Sequence, residues 1–465
     1  GLLPLIQGAL DGFDDIVDGD IEIDDDGVTV VRLARDPARA HGKWNGPVRG
    51  TMMQLTADDP GAPSRLVVTR PASCRVLVRV ADVPGLGWRR AGAGGTPLTV
   101  DPVTATADRL ANGLVTVQVD ATDATFAIDG LTGFGRLVDD GDGGDTYNYS
   151  PPAGDRTVDR PDAVAVSVLE EGPLRGRVQI VATYRWPERI TDGARTGERA
   201  VEVTTTLELQ AGERLVRVTT SFDNTCRDHR LRAWLPLPAP AETSRAECAF
   251  AEVTRGLHGE GGPTERAMAT FPSRRFVQAG GLTVVHEGLL EYELVELTGS
   301  GGEERAHALA LTLLRSTGML SQGPMAYRPL PAGPTIAMEG PQMAGPLTVR
   351  YAVQTGDADP YALVDDAFLP LLVADPTTIA GMAATPPTEA ESGQRFAVHG
   401  AEVSAVTRTG GKVQVRVWNP SDTSTEVLLD GQRGWLVDLR GHPVGPFEGG
   451  FELGPWRIAT AVLDT

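Results

Sequence analysis

Cysteine is scarce in this 465-residue chain: Cys74, Cys226 and Cys248 are all it has. Three scattered cysteines cannot build a disulfide framework, and without a C-x-x-C pair they offer neither a zinc clamp nor a dithiol centre. The seven histidines form no H-E-x-x-H or His-x-Asp motif, so no metal site is written into the sequence. No apolar run approaches the roughly 18 residues of a membrane span. Basic residues are outnumbered, 42 Lys+Arg against 62 Asp+Glu, leaving a net charge of -20. Such a chain repels phosphate backbones and anionic lipid, which disfavours nucleic acid and membranes as partners. The start, Gly1 onward, has no initiator methionine and no basic signal-peptide region, so the chain is expected to begin partway into a longer protein. A cytoplasmic location is the default expectation.

What is present is β-texture. Apolar content is an ordinary 41%, enough for sizeable cores. The segments 28–33, 75–80, 114–119, 177–181, 201–209 and 413–417 are short, β-branched and often alternating, as strands are. The 55 glycines and 34 prolines punctuate them as turns. Helical spacing occurs in Leu3, Ile6, Leu10, Phe13 and Ile16, and again over 360–373. No βαβ rhythm appears, so the expected class is all-β, with several antiparallel sandwiches after a short N-terminal helix. Linker-like composition at 91–102 and 383–392 divides the chain. The expected parts are 1–26, 27–100 (a small β-domain), 101–382 (a large sandwich) and 383–465 (a final sandwich).

Several local patterns, in order, resemble the C-terminal region of glycoside hydrolase family 38, the α-mannosidases and mannosylglycerate hydrolases. They are Val83-Pro-Gly-Leu-Gly-Trp88, Asn112-Gly-Leu-Val-Thr-Val117, Gly144-Asp-Thr-Tyr-Asn-Tyr-Ser-Pro-Pro152 and Asn224-Thr-Cys-Arg-Asp-His-Arg-Leu-Arg232. His286-Glu-Gly-Leu-Leu-Glu-Tyr292, Leu311-Thr-Leu-Leu-Arg-Ser316, Gln342-Met-Ala-Gly345 and Leu453-Gly-Pro-Trp-Arg-Ile-Ala-Thr460 continue the series. Each pattern is weak alone, but their order makes the resemblance specific. It implies a mutarotase-like super-sandwich in the middle region and the tail of a helical bundle over 1–26. It also implies an N-terminal catalytic domain, outside this chain, carrying the nucleophile and a zinc ion. No catalytic residue or metal ligand is carried over, because none of those motifs is here.

The resemblance implies substrate contacts instead. Tyr147 matches a tyrosine that the family turns towards the sugar, and Tyr149 fills its other aromatic position. A phenol offers a sugar an apolar face and one rigid donor-acceptor group. Gly141, Gly143 and Gly144 would let the loop approach a ligand closely. Arg315 could meet a hydroxyl or the carboxylate of mannosylglycerate, and Gln342 and Asp145 could reach the substrate. The bland alternatives are that the tyrosines pack beneath the loop, Arg315 forms an ion pair and Gln342 packs between domains. The acidic run Asp139-Asp-Gly-Asp-Gly-Gly-Asp145 allows a calcium reading but fits a solvated turn better. Asp228-His229 and His286-Glu287 admit a mutarotase pair, although each histidine more simply satisfies a local hydrogen bond. Trp44, Trp88, Trp186, Trp234 and Trp435 read mainly as core, although an exposed one could stack on sugar.

The expected function is therefore the cleft-shaping half of a retaining α-mannosidase, inactive without its catalytic domain. The alternatives are a mannosylglycerate hydrolase within the family, or a non-catalytic carbohydrate-binding or assembly module. Expected partners are the α-mannoside or mannosylglycerate, the chain's own catalytic domain and, as in many relatives, further copies of the chain.

Overall fold

The computed structural model describes residues 16–35, 47–69, 76–90, 100–300, 302–373 and 391–464. The chain divides into two compact units, the first within 1–78 and 371–391, the second within 79–370 and 392–465.

In the first unit, strands Ile16–Ile23, Thr29–Arg35 and Ser64–Thr69 form one small sheet. The first two pair antiparallel, while the second and third run parallel with the helix Pro47–Asp58 between them. This is a single βαβ crossover, although no βαβ rhythm runs along the sequence. Its core joins Ile16, Val31, Leu33 and Met52. Ile16 thus opens a strand rather than closing a helix; the expected helix residues Leu3 to Phe13 lie outside the described residues, as does Trp44.

The large sandwich packs a nine-stranded sheet on a five-stranded one. The nine-stranded sheet includes the long strands Arg175–Trp186, Arg199–Gln210, Val216–Asn224 and Gly345–Thr355. The five-stranded sheet runs Arg136–Gly141, His229–Ala241, Ala306–Ser316, Glu291–Val295 and Thr270–Pro272 in spatial order. Alternation along Arg175–Trp186 sends Val178, Ile180, Ala182, Tyr184 and Trp186 inward, one residue in two, as a strand with one buried face requires. Leu231, Ala233 and Leu235 answer from the facing sheet, and one core cluster runs through both. A five-stranded meander over 104–134 joins the same core.

The last sandwich, with strands between Val398 and Leu463, has its own core of Phe396, Val415, Val417, Val427, Leu429, Phe447, Leu453, Ala461 and Leu463. The expected helix at 360–373 is present as Pro360–Phe368, started by Asp359, whose carboxylate accepts from the Tyr361 N–H. The expected strand at 75–80 is absent over its described part, where Val76, Leu77 and Val78 are exposed and unpaired in any sheet. Trp186 is core as expected, but Trp88 and Trp435 are exposed. The all-β class of the chain otherwise stands as expected.

Candidate functional site

Three neighbouring strands of the five-stranded sheet end together. Gly141, His229 and Ser316 sit side by side in register, so their flanking residues converge. Period-two alternation then sorts the polar side chains. Asp139 and Leu231 are cross-strand partners at the inner end of the core, beside His229. Asp140 and Arg230 are cross-strand partners one residue on, and Arg230 and Arg232 share a face.

The acidic run Asp139 to Asp145 is neither a solvated turn nor a cation loop. Asp139, Asp140, Asp142 and Asp145 are all buried, and each is matched to arginine. Asp139 binds Arg195 and also faces His229 Nδ1 at 2.5 Å. Asp140 takes a two-pronged contact from Arg230, 3.1 and 2.9 Å, and one from Arg232 at 2.8 Å. Asp142 pairs with Arg315 at 2.6 Å, and Asp145 with Arg328. Burial is costly for a charge unless it is paired in this manner. Burial still raises the Asp142 carboxyl above its ordinary range, against the pull of Arg315. Asp145 ends up below that range. Burial would raise it, but the N–H groups of Asn148, Gln322 and Tyr147 and the Arg328 guanidinium outweigh that.

The loop itself is a tight turn. The Asp145 carboxylate accepts from the N–H of Tyr147 and of Asn148, 3.0 Å each, and Asp142 accepts from Gly144 and Ser150. At Gly144 a Cβ would stand 2.1 Å from the Asn148 carbonyl oxygen. Glycine is needed there by the loop's own backbone, and no ligand has to be invoked. A second loop, 317–338, closes over the turn: Gln322 donates to Gly143 and Gly144 carbonyls at 2.7 Å, and Thr317 to Gly144 at 2.8 Å.

The five expected contact residues fare differently. Tyr147 projects from the turn with 56% of its surface exposed. Tyr149 is buried, its ring stacked 3.6 Å under the Arg230 guanidinium, and burial pushes its phenol up. Asp145 is buried within its pairing to Arg328. Arg315 is spent on Asp142 and the Asp145 carbonyl at 2.5 Å. Gln342 is buried in a knot: its amide oxygen accepts from Ser316 and the Asp228 N–H, and its amide nitrogen donates to Asp228. Tyr149, Asp145 and Gln342 are thus buried and Arg315 is half-buried, and the partners named here engage their polar atoms, whereas Tyr147 alone of the five is exposed.

Both histidines of the mutarotase alternative satisfy local hydrogen bonds, the simpler of the two readings. His229 is buried between Asp139 and the Asn224 amide oxygen, 3.0 Å away. His286 is buried against the Ser273 hydroxyl at 2.7 Å, and burial lowers its pKa to about 4. Among the described residues no three His, Cys, Asp or Glu side chains are grouped to hold a metal. The site's carboxylates are tied to arginines, so zinc finds no fitting ligand set here and no step is assigned to it on this chain. Arg195, Arg230, Arg232 and Arg328 were missed in the sequence. Only the charge alternation of Asp228-His-Arg-Leu-Arg232 hinted at them.

A separate groove of about 720 Å³ lies between the turns 280–281 and 356–359, lined by Arg245, Thr254, Gln278, Thr283 and Asp357. It carries no aromatic side chain.

No protein-family model matches the chain. A protein of Halalkalibacterium halodurans named "Putative mannosylglycerate hydrolase" is 26% identical over 238 residues, which are 45% of this chain and 25% of that protein. Two solved structures from Enterococcus faecalis are similar, an α-mannosidase and a protein in glycosyl hydrolase family 38. Each superposes with a TM-score of 0.63 at 20% identity over 80% of this chain, covering 43% and 46% of the other. The chain thus spans under half the length of these relatives. Over the matched part, its fold is that of these α-mannosidase and glycosyl hydrolase family 38 structures, as the sequence resemblance implied.

Proposed function

We propose that this chain is the cleft-shaping β-region of a retaining α-mannosidase-like glycoside hydrolase acting on terminal α-mannosides. Retaining hydrolysis needs a nucleophile and an acid/base carboxyl about 5–5.5 Å apart, both able to reach the sugar. The carboxylates gathered here are buried and paired with arginine, so they suit neither role. The chemistry is assigned to a catalytic domain, with its zinc, in the same protein. Tyr147 is this chain's contribution, meeting the sugar with its ring face and hydroxyl. The single observation that carries this is its exposure on top of a turn whose every other candidate is buried and fixed. Rigid support beneath one exposed aromatic is how a binding group is held in place.

The same reading could extend to mannosylglycerate, which the name of the H. halodurans relative suggests. Arg315, the residue expected to meet the glycerate carboxylate, is occupied by Asp142, so the α-mannoside is preferred. A stand-alone carbohydrate-binding module draws no support from the groove at 280–281, which lacks a stacking ring. The test compares p-nitrophenyl α-mannoside with mannosylglycerate, using full-length protein with and without Tyr147→Phe. We expect mannoside cleavage that falls several-fold in the variant; full activity in the variant would remove Tyr147 from the cleft. Light scattering of the same samples reads the expected oligomer.

A further inference from the structure

Arg328 lies on the 317–338 loop, far along the chain from Tyr147, and is almost wholly buried. Its guanidinium donates to the Asp145 carboxylate and to the Asn148 side-chain oxygen, which bracket Tyr147 in the turn. Two carbonyls hold the rest of the fork, Leu330 at 2.8 Å and Gln322 at 3.3 Å. The same guanidinium stands 5.7 Å from the Tyr147 ring centroid, within the range of cation–π attraction. Asp145 in turn caps the N–H groups of Tyr147 and Asn148. One side chain therefore reaches Tyr147 twice, through the turn's backbone and directly at the ring.

We propose that Arg328 is the positioning residue for Tyr147, fixing the turn and orienting the phenol towards the sugar. This rests on the reading of Tyr147 as a substrate contact. A planar fork is required, since five acceptors, the Ser321 hydroxyl at 3.5 Å being the fifth, surround the guanidinium and a lysine ammonium cannot match their directions. Small misplacements of a positioned group are costly, up to about a hundredfold in rate for roughly 1 Å.

The test is a double-mutant cycle in the full-length protein, with Arg328→Met, Tyr147→Phe and the pair, read as kcat/KM on p-nitrophenyl α-mannoside. We expect R328M to cost about tenfold or more and to add little in the Y147F background, with R328K failing to restore activity. Equal losses in both backgrounds, or a lowered melting temperature at unchanged kcat/KM, would overturn the proposal. If R328M does not fold, Asn148→Ala removes one of the same anchors and replaces it in the cycle. A second readout places 3-fluorotyrosine at position 147 and follows its fluorine resonance. A resonance that shifts or broadens in R328M while Y147F keeps full activity would sink only the sugar-contact reading. A resonance unmoved by R328M would sink the positioning role itself.

Discussion

Glu402 and Trp418 are directly opposed across the antiparallel strands Glu402–Thr409 and Lys412–Trp418 of the last sandwich. The Trp418 indole meets Tyr361 and Phe250 of the large sandwich edge-on, with ring centroids 5.9 Å apart in each case. A hydrogen bond from the Glu252 N–H to the Pro420 carbonyl, 3.1 Å, closes the same seam. Trp418→Ala should cost about 3–5 kcal/mol, as for other buried large-to-small changes. Scanning calorimetry should then split one transition into two as the last sandwich is uncoupled. A single transition at the wild-type temperature would count against the seam.

Glu402 also sets a pH dependence. Burial first, then Asp359, Asp365 and Glu247, raise its pKa to about 7 against the opposing pull of Arg275. A raised folded pKa contributes stability that is fully present below about 4.5 and lost as pH rises through 7. His286, lowered to about 4 by burial, does the reverse: its contribution is present above about 6.5 and lost as pH falls towards 4. Across pH 4.5–6.5 the two oppose each other. Glu402→Gln should therefore steepen the acid loss, and His286→Asn should leave stability falling with rising pH. Allowing for the partial exposure of Glu402, each effect is on the order of 1 kcal/mol. Urea midpoints taken between pH 4.5 and 7.5 would read the two slopes.

The shared carboxylate of Asp140 makes its partners unequal. Arg230→Met leaves Asp140 still bonded to Arg232, whereas Asp140→Asn removes the charge shared by two buried guanidinium groups and leaves them Glu293, 2.8 Å from Arg232 and 3.7 Å from Arg230. The Asp140 variant should approach the roughly 3–5 kcal/mol of a broken buried pair, and the Arg230 variant should lie below it. Equal denaturation midpoints for the two would refute the shared arrangement.

Gly144→Ala has no room, with the Asn148 carbonyl 2.1 Å from the new methyl. The turn must open, and mannoside cleavage by the full-length protein should fall with little change in the sandwich cores. Near-ultraviolet circular dichroism beside the activity assay separates the two effects.

The strands of the large sandwich were legible because a single buried face imposes strict alternation on Arg175–Trp186 and Arg199–Gln210. The crossover helix Pro47–Asp58 was not. It puts few side chains into its small core, chiefly Met52 and Leu55, and so shows no apolar stripe. Ile16 fitted two periods at once, and the alternation Asp18, Asp20, Glu22 against Ile21 and Ile23 belonged to the strand. The loop at Tyr147 could be found by pattern. Apart from Arg315, its arginine partners could not, because Arg195, Arg230, Arg232 and Arg328 come from segments distant in the chain and are assembled only by the fold.

The pairing of buried aspartates with arginines also bears on how such a sequence can drift over generations. A change at Asp145 alone leaves the buried Arg328 cation without its carboxylate, held only by neutral acceptors, so selection meets the loss at once. Replacing both with well-packed apolar residues is far gentler. The two positions, 183 residues apart in the chain, are therefore tied into a single unit of inheritance. Among relatives that keep the turn, departures at one position should be accompanied by departures at the other.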